Sequence, residues 1–186
     1  MKPTEKQKEL YKKLSPMIGI EPRVIKYGDD NDKNYIFIME CPDPIDDKIK
    51  FYSTIGLSDY FLNERKYEIL FTGYSNFEEI GNILSSCAFF IINENWKITH
   101  GTVFETLVSM YYKDIDMKHV YFTTPYIWED KLEDFEIQGD KIFFLLGIPI
   151  SDAELSFKNL NGIDALENLF QEHNIDIFDI NRKSII

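Results

Sequence analysis

Three observations predict an α+β fold in one domain. Strand-length apolar runs bounded by turn residues recur along the chain, at Tyr35–Met39, Lys50–Ile55, Tyr67–Thr72 and Ile142–Ile150. Apolar residues at helical spacing mark separate segments near the N-terminus, in the middle and near the C-terminus. No Pro/Gly/Ser linker, internal repeat or low-complexity tract divides the chain, and its 186 residues suit one core better than two small ones. The expected domain therefore spans residues 1–186.

The first helix, about residues 4–19, starts at Thr4. Gln7, three residues on, completes a capping box, and Leu10, Tyr11, Leu14, Met17 and Ile18 follow at helical spacing. Val24–Tyr27 is β-like, and the turn cluster Gly28-Asp29-Asp30-Asn31-Asp32 joins it to the run at Tyr35–Met39 as a hairpin. Lys50–Ile55 ends in Gly56-Leu57-Ser58-Asp59, a glycine turn in which Ser58 or Asp59 is placed to cap exposed N–H groups. After the strand Tyr67–Thr72, Asn76 with Glu79 opens a helix whose stripe is Ile80, Ile83, Leu84, Cys87, Ala88 and Ile91, expected to lie on the sheet.

Strands are expected near Val103–Val108 and at His119–Thr123. The segment Trp128–Glu136 interleaves carboxylates with aromatic rings before Gly139-Asp140 turns it into Ile142–Ile150, where Pro149 predicts an edge or strand-end position. Ser151 with Glu154 forms a second capping box for a helix from Asp152 to about Lys158. Asn161-Gly162 separates it from a last helix carrying Leu166, Leu169 and Phe170. The alternating tail from Ile175 predicts an added edge strand.

Charge narrows the function. Lys and Arg number 20 against 32 Asp and Glu, a net charge of -12, which opposes docking on nucleic-acid phosphates or anionic lipid. The same field favours a cationic protein partner, or serves solubility alone. Cys41 and Cys87 stand in no CxxC pair and read as small buried hydrophobes. No apolar h-region and no apolar stretch of about 20 residues is present, so the expected location is the cytoplasm.

No local motif specifies catalysis or a cofactor. His100, His119 and His173 have no neighbour at HxH or HExxH spacing, and GxSxG, GxxxxGK[ST] and GxGxxG are all lacking. Adjacent acids such as Asp29-Asp30 and Asp46-Asp47 fit solvated surface. For an enzyme, His119, His100 and Cys41 would be the first substitutions to try. The segment holding Trp128, Glu129, Asp130, Glu133 and Asp134 admits two readings: aromatic anchors ringed by carboxylates that grip a basic partner, or a charged loop with its aromatics in the core.

Five stretches kept in order, Tyr52-Ser-Thr-Ile-Gly-Leu-Ser-Asp59, Phe122-Thr-Thr-Pro125 with Trp128, Phe143 to Leu155, Asn161-Gly162 with Leu169-Phe170, and Asp176 to Arg182, resemble the Suppressor of fused family and specifically its bacterial members. The resemblance implies a mixed, largely antiparallel sheet flanked by helices and a non-enzymatic role. It implies, by way of the bacterial members, an immunity protein or antitoxin that binds and neutralises a polymorphic toxin domain. Combined with the negative charge, it makes a basic nuclease the expected target; a regulator that sequesters a peptide at a sheet edge is the alternative. In the eukaryotic relatives a tyrosine four places before the motif glycine lies in the partner-binding region. The matching position here is Tyr52, with Asp59 nearby; simple packing of Tyr52 on its sheet is the competing reading.

Overall fold

A computed structural model describes residues 2–31, 33–61, 65–128, 131–132 and 134–186. Among them, eight strands form one sheet and four α-helices pack on it: α1 (Glu5–Ile18), β1 (Arg23–Gly28), β2 (Tyr35–Pro42), β3 (Ile49–Ile55), β4 (Lys66–Tyr74), α2 (Ile80–Glu94), β5 (Val103–Phe104), β6 (Met117–Thr123), β7 (Phe135–Ile137), β8 (Asp140–Ser151), α3 (Asp152–Asn161) and α4 (Ile163–Glu172). The strand order is β1-β2-β3-β4-β8-β6-β5, with β7 paired to β8. Every pairing is antiparallel except β4 with β8, which is parallel from Lys66↔Ile142 to Leu70↔Leu146.

Alternation along the strands sets the layers, because successive side chains point to opposite faces. Ile36, Ile38, Tyr52, Ile69, Phe71, Val120, Phe122 and Leu145 meet the α2 stripe of Ile80, Ile83, Leu84, Cys87, Ala88 and Ile91. On the other face Phe37, Met39, Phe51, Ile55, Leu70, Ile142, Phe144 and Ile148 meet Leu10, Leu14 and Ile18 of α1. Further along, Tyr121 and Ile150 are covered by Leu166 and Phe170 of α4.

Both capping boxes form as the sequence predicts: Thr4 Oγ1 accepts from Gln7 N–H, and Ser151 Oγ accepts from Glu154 N–H, with the reciprocal side-chain bonds in place. Three expectations are corrected, and one open alternative is decided. Glu79, not Asn76, precedes α2, and it makes no side-chain cap. The expected strand through Val103–Val108 is two residues long, and Val108 lies in a 3-10 turn. Of the two positions expected for Pro149, the strand end is the one found: it lies two residues before the end of β8, which is an interior strand of the sheet and not an edge. Pro149 is tolerated there because the parallel ladder to β4 ends at Leu146, so Pro149 has only β6 beside it, opposite Val120.

The tail adds no strand. It crosses the sheet as turns, with Ile177 and Ile180 buried and one backbone bond from Tyr74 N–H to Phe178 O. Arg182 anchors it. Its guanidinium donates to both oxygens of the fully buried Glu154, at 2.6 and 2.8 Å, and to Pro149 O at 3.0 Å. The carbonyl of Pro149, which lies beyond the end of the β4 ladder, is thus satisfied by the tail.

Candidate functional site

The Thr54–Asp59 turn is built around Glu68, a carboxylate with no exposed surface in the middle of β4. β3 leaves β4 after Ser53, and Thr54 Oγ1 takes the ladder's place by accepting from Ile69 N–H at 2.9 Å. Thr54 then donates to Glu68 Oε2 at 2.6 Å. The N–H groups of Gly56, Leu57 and Ser58 donate to the same carboxylate at 3.0, 3.2 and 3.0 Å. Gly56 adopts φ 101°, the left-handed conformation that favours glycine, and so aims three successive N–H groups inward. The capping role expected of Ser58 or Asp59 belongs instead to Glu68. Burial pushes the Glu68 pKa up, to about 7, against these four donors, each of which favours the anion.

Facing inward in this way, the turn leaves Asp59 on the surface, where α1 binds it. Lys6 Nζ lies 2.7 Å from Asp59 and 2.8 Å from Asp140, and Lys66 lies 2.7 Å from Asp140. Gln7 Nε2 also donates to Asp59, at 3.4 Å. Lys6 and Lys66 together hold the Asp140 pKa down at about 2. Lys13 donates to Glu136 O at 2.9 Å, so α1 clasps the β7–β8 hairpin at two points.

Two regions that the sequence singled out therefore meet: Asp59 and the hairpin that follows the acidic segment are joined through Lys6. Asp134, at the entry to β7, is exposed and pairs with Lys141 at 3.1 Å. Trp128 is 5% exposed and packs edge-on against Phe51 at 5.0 Å between ring centroids, so it is a core anchor of this segment and not a surface one. Tyr52 is 2% exposed beneath α2, and its ring packs on the sheet, the second of its two readings. Glu129, Asp130 and Glu133 lie outside the described residues.

The candidate catalytic groups are engaged in structural contacts. His119 is 2% exposed; its Nδ1 accepts from Thr106 N–H and its Nε2 donates to Asp152, both at 2.9 Å. Cys41 is buried, and desolvation pushes its thiol up to about 12, against thiolate chemistry. His100 contacts Glu167 at 2.7 Å. Among the described residues, no group of three His, Cys, Asp or Glu side chains is placed to hold a metal ion, and no helix is long and apolar enough to cross a membrane.

Sequence reasoning missed Glu68 and Glu167. Each left a signal: a lone acid inside the apolar run Tyr67–Thr72, and an acid on the α4 stripe between Ile163 and Phe170.

Comparison with known proteins decides the family. The Suppressor of fused protein family model matches residues 31–183. The chain belongs to the Suppressor of fused family. Among relatives of this Suppressor of fused chain, the immunity protein YqcF of Bacillus subtilis is 36% identical over 189 residues, covering 98% of each chain. A Suppressor of fused homologue from Neisseria gonorrhoeae superposes with TM-score 0.70 at 19% identity, over 97% of this chain and 94% of its own. A chain of the Sufu–Fu complex superposes with TM-score 0.68 at 13% identity, over 98% and 93%. At those identities the two structures establish a shared Suppressor of fused fold. The family motifs acquire physical roles from this geometry. Thr54 to Ser58 wrap Glu68, and Pro149 and Glu154 are tied by Arg182 to the end of the last motif.

Proposed function

We propose that this chain is an immunity protein that binds and neutralises a toxin domain, with a basic nuclease as the target its charge suits best. The observation that carries the reading is the 36% identity to immunity protein YqcF across 98% of both chains. A net charge of -12 supports a cationic partner by raising the encounter rate. The role is non-enzymatic and cytoplasmic in this reading: the chain occludes its target and has no chemistry of its own to perform.

The test is capture of the tagged chain from its own lysate at low and high salt, with stoichiometric partners identified by mass spectrometry. The reading requires a basic protein with a toxin-like C-terminal domain whose activity disappears in the complex. A toxin that stays fully active when bound, or the absence of any such partner, would sink it. Reversing Glu129, Asp130, Glu133 and Asp134 to lysine should slow association and flatten its salt dependence; an unchanged salt slope would remove that segment from the interface.

One observation favours a second reading, sequestration of a peptide at a sheet edge. Among the described residues β1 is an edge strand paired with β2 alone, and its residues are largely exposed, Val24 at 43%. An added strand would gain main-chain hydrogen bonds there. A partner that still binds after its own denaturation supports this reading, whereas a toxin inhibitor needs a folded target.

A further inference from the structure

The Glu167 carboxylate is fixed from one side only. Tyr121 Oη, Thr123 Oγ1 and His100 Nε2 approach the same oxygen, Oε1, at 2.7, 2.5 and 2.7 Å. No described residue donates to Oε2. Burial opposes ionisation of Glu167, but the hydrogen bonds from Thr123, His100 and Tyr121 outweigh it and hold the pKa below the ordinary glutamate value. The result is a preorganised anion with one oxygen to spare.

That anion lines a groove of about 560 Å³ between α4, the end of β6 and the tail. Its other walls are largely aromatic and aliphatic, with Tyr126, Ile148, Phe170 and Phe178 among them, and carry the neutral polar residues Thr124, Gln171 and Asn174; Tyr126 stands 48% exposed. None of the described residues lining it is lysine or arginine. Glu68 is likewise held by hydroxyl and backbone donors, but five other carboxylates are placed differently. Glu40, Asp59, Asp140, Asp152 and Glu154 each lie against a lysine or arginine of the chain itself. Among the described residues the ion-pair partner of Glu167 is His100 alone, while the guanidinium of Arg182, which lies over the Phe170 ring, is committed to Glu154.

We propose that this groove receives an arginine side chain of the protein partner, its guanidinium donating to Glu167 Oε2 and its stem lying along the apolar walls. Arginine suits the site better than lysine. A planar, weakly hydrated cation stacks on aromatic faces such as that of Tyr126 while donating in its own plane, whereas an ammonium gives up more hydration on entering an apolar groove. The proposal names the contact by which the protein-binding role proposed above would be exercised, and so rests on it.

The site is testable without the partner. Nα-acetyl-arginine methylamide is titrated into the labelled full-length chain and followed by NMR, with the citrulline and lysine counterparts as controls. The expected result is a set of shifts confined to the groove, at Tyr126, Ile127, Ile148 and α4. Binding should be about ten- to a hundredfold weaker for citrulline and for the Glu167→Gln variant, which keeps an acceptor for the three donors but loses the charge. Tyr126→Ala, at the exposed lip, should weaken it about two- to fivefold and covers the case of a misfolded Glu167→Gln. No groove shifts, equal shifts with citrulline, or equal binding of the lysine analogue would overturn the assignment. A toxin captured and neutralised equally well by Glu167→Gln would overturn it too, leaving the immunity role standing. Arginine binding without any toxin partner would retain the site and remove that role.

Discussion

Glu68 carries a cost that its four donors do not remove. Its carboxyl titrates near pH 7 in the folded chain against an ordinary value of 4.5, because burial penalises the anion. Between those values the native state holds a proton that the unfolded state has released. Stability should therefore be fully enhanced below about pH 4.5 and lost as pH rises through about 7, with a slope approaching 1.4 kcal/mol per pH unit. Asp140 acts in a separate window: its depressed pKa supports the fold above the ordinary aspartate range and is lost only as pH falls toward about 2. Chemical denaturation in steps from about pH 5 to pH 8 reads the Glu68 effect, and Glu68→Gln should flatten the profile. A stability that climbs from pH 5 to pH 7, or an identical slope in the variant, would show that this carboxyl does not titrate there.

Helix α1 joins a local signal to a distant contact. Thr4→Ala should cost about 1 kcal/mol through the lost cap. It also leaves the Gln7 N–H without its acceptor and loosens the turn from which the Gln7 amide reaches Asp59, so amide exchange should quicken at the Thr54–Asp59 turn as well as in the first turn of α1. Exchange that changes in α1 alone would show that the cap does not support the turn. The contrast explains what was legible in the sequence. Capping boxes at Thr4 and Ser151 and the apolar stripe of α2 are short-range patterns, and all of them appear in the fold. The centrality of β8, the inward carboxylate under the motif glycine and the ion pairs of Lys6 depend on partners far along the chain, which periodicity does not encode. Pro149 left edge and strand end undecided for the same reason: its tolerance comes from where the β4 ladder stops. At the candidate site, Asp134 and Asp59 lie on the surface, Asp59 as an ion-pair partner of Lys6 and not as the expected cap, whereas Trp128 and Tyr52 are bulky rings whose placement only packing decides.

At the scale of the molecule, the C-terminal tail is locked by one buried ion pair. Arg182→Met should destabilise the fold by about 3–5 kcal/mol by leaving Glu154 buried without its cation. Replacing both, as Arg182→Met with Glu154→Met, should cost less than the single change, since neither charge is then stranded. A double variant as unstable as the sum of the two singles would deny that coupling; equilibrium denaturation of the four proteins decides it. The position of β8 has a consequence for synthesis. The strands β1 to β4 form a meander of neighbours and can pair as they emerge, but the strand that covers β4 is the last one made. Until Ser151 has left the ribosome, β4 presents a bare edge of apolar residues, the kind of surface that recruits other chains. A nascent copy of this protein therefore depends on the speed of its own completion, and a premature stop before residue 140 would yield not a smaller domain but a sheet open at its middle.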